Sequence, residues 1–393
     1  MITHPAGFRA AAVAAGIQPG RDDLALLVAD GPCAAAGVFT QNRAAAAPVV
    51  VSREHVGTGR ARAVVINAGC ANAATGAAGL RDARDTASCA AGTLRCAPAE
   101  VLVASTGVIG VPLPMEKVRA GIERAVAVLS RDGGALAARA ILTTDTRPKE
   151  VALDLQVGGR PVRLGAMAKG AGMIAPNLAT MLAFFTTDAR VTPGLLHRAL
   201  VEAVGESLNR ITVDGDTSTN DMAVVLASGA SGAPAIESEG ADLEGFCRAL
   251  TEASRRLAEM IVRDGEGASR IAEVRVEGAR SAAEADRIAR TVAESPLVKT
   301  ALHGGDPNWG RLLAAAGRSG VDADLSGLDI FIGDVWVAEG GAARAYDEAV
   351  AAAAMREDPV RFRLRFRQGT AAGRVWTCDL THGYVDINAH YRS

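Results

Sequence analysis

A threonine directly precedes an apolar run in the segment NLATMLAFFTTDA, residues 177–189. The run Met181 to Phe185 is typical of a buried strand, so Thr180 can be an ordinary strand residue. If the chain were cut between Ala179 and Thr180, one residue would carry both a hydroxyl and a free α-amine. Such an amine has an ordinary pKa of about 7.7–8.0, which suits a general base for the hydroxyl nucleophile. The same hydroxyl could make the cut by attacking the Ala179 carbonyl. The residues alone leave both interpretations open.

A second candidate is the pair Thr106 and Gly107 in ASTGVIG, residues 104–110, at the end of a predicted strand. Glycine lets a backbone N–H approach a ligand closely, and the threonine hydroxyl adds a second donor. The pair could stabilise a developing oxyanion. A Thr-Gly pair is also common at the ends of strands that have no catalytic role.

Other motifs favour structural roles. KGAGMIAP (169–176) lacks the third glycine of a dinucleotide fingerprint, and GGDPNWGR (304–311) is typical of a tight turn before a helix. TVDGDTSTND (212–221) begins like a calcium loop but lacks the sixth-position glycine and has Val225 where the loop needs a glutamate. We expect a hydrogen-bonded loop there and no metal. No histidine lies in a recognisable nucleophile motif, although a Ser-His-Asp triad could still assemble in space.

The elements that must position these residues alternate loosely between strands and helices. Apolar runs predict strands at 62–69, 100–106, 180–186, 271–278 and 328–333. Amphipathic spacing predicts helices at 112–129, 192–208, 242–265 and 281–295, the first with a proline just inside its start, the second capped by Thr192 and the last by Ser281. The pattern favours a layered α/β fold over a doubly wound sheet.

Composition narrows the class of protein. A chain of 393 residues predicts one large domain or two intimately packed ones. Its formal net charge of −2, with acids and bases interspersed, argues against nucleic acid or an anionic membrane as the main partner. The six cysteines form no CxxC pair, and no 18-residue apolar span occurs. We therefore expect a cytoplasmic protein with reduced thiols.

Motifs along the whole chain resemble one family. They are GFRAAAVAAGI, GVFTQNRAAAAPV, NAGCANAATG, ASTGVIG, TTDTRPK, KGAGMIAPNLATMLAFFTTDA, TVDGDTSTND, GGDPNWGR and GYVDINAHYRS. On these residues the chain resembles the ornithine acetyltransferases of arginine biosynthesis, also called glutamate N-acetyltransferases or ArgJ proteins. The KGAGMI.P…ATML segment is the most specific of the set.

The resemblance implies a layered α/β sandwich similar to the N-terminal-nucleophile hydrolases and the self-processing aminopeptidases. It implies self-cleavage into an α chain, residues 1–179, and a β chain, residues 180–393, which pack intimately and assemble as two α and two β chains. The implied reaction moves an acetyl group from N-acetylornithine to glutamate by a ping-pong route. No bound cofactor is implied, and acetyl-CoA is left open as a second acetyl donor.

The resemblance also assigns roles. Thr180 becomes the nucleophile, and Thr106 and Gly107 the oxyanion hole. The residues that match the family's substrate-binding positions, besides Thr180, are Thr146, Lys169, Glu266, Asn388 and Ser393. Lys169 and Glu266 supply the cation and the anion that a substrate with carboxylate and ammonium groups requires, and which end each one faces stays open.

One segment departs from the family pattern. NAGCANAATG has Ala68, Cys70 and Ala74 where the family more often reads NSGNANACTG, while Asn72 and Thr75 are kept. No assigned catalytic residue lies there, so Cys70 is not interpreted as a nucleophile. Two alternative functions remain: a self-processing aminopeptidase or amidase of the same fold, and a non-catalytic protein that binds a small molecule and never matures.

Overall fold

The computed structural model describes residues 1–175 and 181–390. These residues form two compact units. The first contains residues 1–209 and 217–261, and the second contains residues 210–216 and 262–390.

The strands, in chain order, are β1 (Phe8–Val13), β2 (Leu24–Phe39), β3 (Arg60–Cys70), β4 (Val101–Val108), β5 (Lys149–Val157), β6 (Arg160–Lys169), β7 (Leu182–Thr187), β8 (Ile211–Thr212), β9 (Met222–Ala227), β10 (Ile271–Ala279), β11 (Asp329–Ile332), β12 (Val335–Glu339), β13 (Ala342–Ala343), β14 (Val360–Arg365) and β15 (Ala371–Cys378). All five predicted strands are present within a few residues of their expected bounds.

The helices are α1 (Ala47–Val56), α2 (Gly76–Leu94), α3 (Met115–Ala127), α4 (Gly134–Ala140), α5 (Pro193–Gly205), α6 (Ala241–Arg263), α7 (Ala282–Ala293), α8 (Pro296–Gly304), α9 (Trp309–Gly317), α10 (Glu348–Ala354) and α11 (His382–His390). The predicted start of the first amphipathic helix was wrong. Pro114 is the N-cap residue of α3 and lies outside it, with non-helical backbone angles of φ −76 and ψ 80. Thr192 precedes α5 as expected but makes no side-chain cap, whereas Ser281 accepts a hydrogen bond from the Glu284 amide.

The first unit contains a sheet of strand order β4-β3-β2-β9-β7-β6-β5, with β1 added to β2. The first residues of β2 pair with β1 and β3, and its last residues pair with β9. A single apolar cluster includes Leu27, Ile66 and Leu102 from one half of the sheet and Phe184 and Val224 from the other. The two halves therefore enclose a common core.

Helices cover the outer faces of this unit. A second cluster joins Val65 and Val103 of the sheet to Val118 and Ile122 of α3. On the other half, α5 packs against β2 and β9 and buries its apolar stripe. The prediction of a layered α/β sandwich is confirmed.

The second unit contains a mixed sheet of strand order β13-β12-β11-β14-β10-β15-β8. Its core joins Val274, Ile330 and Leu364 of the sheet to Ile288 and Val292 of α7. The predicted turn at 304–311 is present, and Asn308 caps α9 by accepting a hydrogen bond from the Arg311 amide.

Strand β7 has a central place in the first sheet. It runs parallel to β9 and antiparallel to β6, and all six of its residues are buried. Leu182 is the pairing partner of both Lys169 and Met222. The apolar run after Thr180 is therefore a core strand, and it begins beside the ends of two neighbouring strands.

Candidate functional site

The end of β4 carries the predicted oxyanion pair, Thr106 and Gly107. Strands β3 and β4 run parallel, but their register shifts where Gly69 pairs with Gly107 and Cys70 pairs with both Thr106 and Val108. Gly107 has φ +127, and a Cβ there would lie 2.3 Å from the carbonyl carbon of Gly69. Both the backbone angle and the close approach of β3 require glycine. The irregular strand end thus depends on this residue.

Lys169, the last residue of β6, lies against this strand end. Its Nζ donates hydrogen bonds to Thr143 Oγ1 at 2.7 Å and to Thr106 Oγ1 at 3.3 Å. Because a hydroxyl has a single hydrogen, the Thr106 oxygen can accept from the ammonium while its own hydrogen is donated elsewhere. The ammonium also polarises that O–H, which makes it a better donor toward a negative oxygen.

A buried carboxylate holds the lysine in place. The side chain of Asp145 is fully buried, and its Oδ1 accepts hydrogen bonds from Lys149 Nζ and from the Gly170 amide, each at 2.6 Å. Its Oδ2 lies 3.8 Å from Lys169 Nζ. Burial opposes ionisation of Asp145, but the charges of Lys169 and Lys149 outweigh it and lower the pKa to about 2. Asp145 is therefore an anion at neutral pH.

A second buried aspartate, Asp221, has its pKa shifted in the opposite direction. Asp221 precedes β9 and is buried, and among the described residues its Oδ2 has no hydrogen-bond partner. Burial raises its pKa well above the ordinary value, although a hydrogen bond with Ser218 and the charge of Lys169 act against that shift. The next residue, Met222, donates its amide to the Met181 carbonyl at 2.9 Å. A buried carboxyl with a raised pKa thus lies beside the residue that precedes β7.

The remaining predicted residue of the first unit is Thr146, which lies on an exposed bend directly after Asp145. The structure therefore brings together Thr106, Gly107 and Lys169, with Thr146 on the adjoining loop. Ala179, Thr180 and Ser393 lie outside the described residues, so their predicted roles stay predictions.

Glu266 and Asn388 come together in the second unit. Asn388, on α11, donates from Nδ2 to Glu266 Oε2 at 2.7 Å, and Glu266 is buried. Gly267 has φ +67, and a Cβ there would lie 2.4 Å from the Tyr384 amide nitrogen, so α11 packs directly on this turn. Burial, followed by the charges of Asp214 and Glu266, raises the pKa of Tyr384. The cluster around Glu266 and Asn388 is therefore acidic and offers oxygen acceptors to a cation.

Sequence reasoning overlooked Asp145, Lys149 and Asp221. Asp145 and Lys149 are both in the quoted motif TTDTRPK, four residues apart and opposite in charge, and this spacing was the available signal. Asp221 ends TVDGDTSTND, where it was interpreted only as part of a hydrogen-bonded loop. That loop is present, with Asp216 donating its amide to Asp214 and Thr217 Oγ1 donating to the Ala175 carbonyl at 2.9 Å.

Cys70 has the environment of a structural thiol. It is buried, its Sγ donates to the Val111 carbonyl, and burial raises its pKa. A raised pKa disfavours the thiolate that a nucleophile requires. Within residues 1–175 and 181–390, no group of three His, Cys, Asp or Glu side chains is arranged to hold a metal ion. No helix in the same ranges is long and apolar enough to cross a membrane.

A layered α/β sandwich with a polarised hydroxyl beside a glycine amide at an irregular strand end is typical of an enzyme site that stabilises negative charge. A model of the ArgJ family matches residues 9–393. The arginine biosynthesis bifunctional protein ArgJ of Symbiobacterium thermophilum is 51% identical over 395 residues, which cover 100% of this chain and 98% of that protein. The ArgJ protein of Methylococcus capsulatus is 49% identical and covers 99% of this chain and 96% of its own length. The chain therefore belongs to the ArgJ family of arginine-biosynthesis enzymes.

A solved structure agrees with this assignment. The crystal structure of the arginine biosynthesis bifunctional protein ArgJ from Bacillus halodurans is 44% identical in sequence, with a TM-score of 0.52. The match covers 54% of this chain and 100% of that chain. The fold of the matched part is thus shared with a known member of the family.

Proposed function

We propose that this protein transfers an acetyl group from N-acetylornithine to glutamate through an acetyl ester on Thr180. The observation that carries the proposal is the polarised Thr106 hydroxyl beside Gly107, held by Lys169 Nζ at 3.3 Å. A hydroxyl and a backbone N–H at one strand end are the two donors that a tetrahedral oxyanion requires. Membership of the ArgJ family supports the choice of substrates.

The nucleophile forms by self-cleavage. Thr180 Oγ attacks the Ala179 carbonyl, the peptide C–N bond breaks, and water then hydrolyses the ester to leave an N-terminal threonine. The lengths are consistent with this step, since the Bacillus halodurans chain, matched over its full length, covers 54% of this one, about 212 residues. The segment from Thr180 to the last residue has 214 residues.

The acetyl group then moves in two half-reactions. The α-amine of Thr180 takes the hydroxyl proton as Oγ attacks the acetyl carbonyl, and the ornithine nitrogen leaves with that proton. In the second half, the glutamate amine attacks the acetyl carbonyl carbon of the ester and a new C–N bond forms. The bond between that carbon and Thr180 Oγ then breaks, and the α-amine passes the proton lost by the glutamate amine to Oγ. Both halves place negative charge on the same acetyl oxygen, which Thr106 and Gly107 stabilise.

Substrate recognition is assigned to the residues that match the family's substrate-binding positions. Lys169 offers a cation to a carboxylate, and the pair Glu266 and Asn388 offers acceptors to an ammonium group. Thr146 and Ser393 add neutral hydrogen-bonding groups. Which end of the substrate meets Lys169 and which meets Glu266 is left open.

The remaining assignments follow the family. We propose that residues 1–179 and 180–393 become separate chains and assemble as two α and two β chains in the cytoplasm. No metal or bound cofactor takes part, and acetyl-CoA is a second acetyl donor, in keeping with the word bifunctional in the names of the relatives.

Mass spectrometry of the denatured protein combined with product analysis tests the proposal. We expect fragments of 179 and 214 residues, and ornithine and N-acetylglutamate in equal amounts from N-acetylornithine and glutamate. Release of free acetate in place of N-acetylglutamate would favour the amidase alternative. A single uncut chain without turnover would favour the non-catalytic binding protein.

A further inference from the structure

Asn220 lies directly behind the predicted oxyanion pair. Its Nδ2 donates two hydrogen bonds, to the Ala71 carbonyl at 2.6 Å and to the Ser105 carbonyl at 2.8 Å. Its Oδ1 accepts a hydrogen bond from Thr219 Oγ1 at 2.7 Å, and the residue is buried. Exchange of the amide O and N atoms would turn Oδ1 toward two carbonyl oxygens, so the orientation is fixed.

The two carbonyls that Asn220 binds belong to the two strand ends that meet at Gly107. Ser105 immediately precedes Thr106 on β4, and Ala71 follows β3 directly. The Ala71 amide donates to the Val108 carbonyl at 3.0 Å, so the strands pair again just beyond the register shift. Asn220 therefore bridges the strand ends where the regular ladder is interrupted.

A second asparagine completes a buried network on the same strand ends. Ser105 Oγ donates to Asn67 Oδ1 at 2.6 Å, and Asn67 Nδ2 donates to the Cys70 carbonyl at 2.9 Å. Asn67 and Ser105 are both buried. Removing one partner of a fully satisfied buried network leaves carbonyls without donors, so the local geometry must change.

We propose that Asn220 is a positioning residue that holds the Gly107 amide and the Thr106 hydroxyl in the geometry that the oxyanion needs. This inference rests on the proposed acetyl transfer. Asn220 does not contact the reacting atoms. It acts through the Ser105 carbonyl, one peptide unit from both donors. Since both half-reactions use the same two donors, a displaced strand end slows both equally.

The test compares Asn220→Ala and Asn220→Asp with Asn42→Ala. Asn42 is the matched control because its Nδ2 also donates to a carbonyl of this loop, Thr217 O at 2.8 Å, but away from β4. Fragment content is measured first by mass spectrometry, and rates are normalised to cleaved protein. Single-turnover rates of acylation by N-acetylornithine and deacylation by glutamate are then measured, together with KM.

We expect both half-reaction rates to fall by about 10- to 100-fold in the Asn220 variants, with KM within about twofold. Asn42→Ala should stay within about twofold of the native rates. Equal rates in the Asn220 and Asn42 variants would overturn the positioning role while leaving the proposed function intact. An inactive native protein would overturn the proposed function itself. If Asn220→Ala does not fold, the isosteric Asn220→Asp decides.

Discussion

Two of the clusters that join a hydroxyl to a basic group, one in each compact unit, differ in how the hydroxyl is hydrogen-bonded. In the first unit, the Thr106 hydroxyl accepts a hydrogen bond from the Lys169 ammonium. In the second, Ser269, His303 and Asp379 assemble the residue types of a catalytic triad. Residue types alone would favour the second cluster as the reactive one, yet its geometry opposes that interpretation.

The second cluster connects its groups in the wrong order for a triad. Ser269 Oγ donates to Asp379 Oδ2, and His303 Nδ1 lies 3.0 Å from the same oxygen. A triad needs one imidazole nitrogen on the hydroxyl and the other on the carboxylate, but here Nδ1 faces both. Asp379 Oδ1 also accepts the Ser269 and Arg270 amides at 2.8 and 3.0 Å. Asp379 therefore anchors the chain entering β10.

The difference between the clusters is the direction in which the hydroxyl proton points. The Ser269 hydroxyl donates its single hydrogen to Asp379. The Thr106 oxygen instead accepts a hydrogen bond from a cation, so its own hydrogen stays available for donation. The arrangement at Ser269 stabilises structure, whereas the arrangement at Thr106 can stabilise an oxyanion. Each of the following predictions tests that distinction.

Thr180→Ala should have the largest effect, because one hydroxyl performs both self-cleavage and acetyl transfer. We expect a single uncut chain and no measurable N-acetylglutamate. Thr180→Ser, which keeps a hydroxyl and a future α-amine, should retain part of both activities. Denaturing electrophoresis, N-terminal sequencing and product analysis provide the measurements. Cleavage of the alanine variant between residues 179 and 180 would show that another group supplies the nucleophile.

Gly107→Ala should have the next largest effect on turnover. A Cβ at 2.3 Å from the Gly69 carbonyl carbon must displace the strand end and with it one oxyanion donor. We expect kcat to fall by about 100-fold or more. Gly110→Ala is the matched control, since Gly110 also has a positive φ, +80, but has no atom within 4 Å of the new Cβ. Similar kcat values in the two variants would remove Gly107 from the oxyanion hole.

The sequence predicted the strands of the first cluster, but it did not predict how these strands pair or which side chains meet. The apolar runs at 62–69 and 100–106 correctly predicted β3 and β4, since local composition determines them. The register shift that opposes Gly107 to Gly69 arises from pairing between distant segments and has no local signal. The contact between Thr106 and Lys169, 63 residues apart, likewise depends on how the sheet folds over.

Asp145→Asn should remove the pH-dependent part of stability that the first cluster contributes through its buried carboxylate. The native pKa of about 2 lies below the ordinary 3.8, so ionised Asp145 stabilises the fold above pH 4. That contribution, about 2 kcal/mol, is lost as the pH falls from 4 through 2. We expect Asp145→Asn to be less stable at pH 7 and to lack this acid-dependent loss, as measured by urea unfolding between pH 2 and 7.

Asp30→Asn is the control for that experiment. Asp30 is exposed and pairs with Arg9 and Arg131 at the surface. Because such exposed pairs contribute little, this variant should unfold almost as the native protein does. An acid-dependent loss that persists unchanged in Asp145→Asn would assign it to another carboxylate.

Ser269→Ala should have the smallest effect on catalysis and so tests the comparison most directly. The substitution removes one hydrogen bond to the buried Asp379, and the two backbone amides still satisfy the other carboxylate oxygen. We expect a loss of about 1 kcal/mol in the free energy of unfolding. Self-cleavage and acetyl transfer should stay within about twofold of native, since no reacting atom lies there. A cleaved, folded Ser269→Ala protein with its turnover abolished would mean that the second cluster, despite its geometry, takes part in the chemistry.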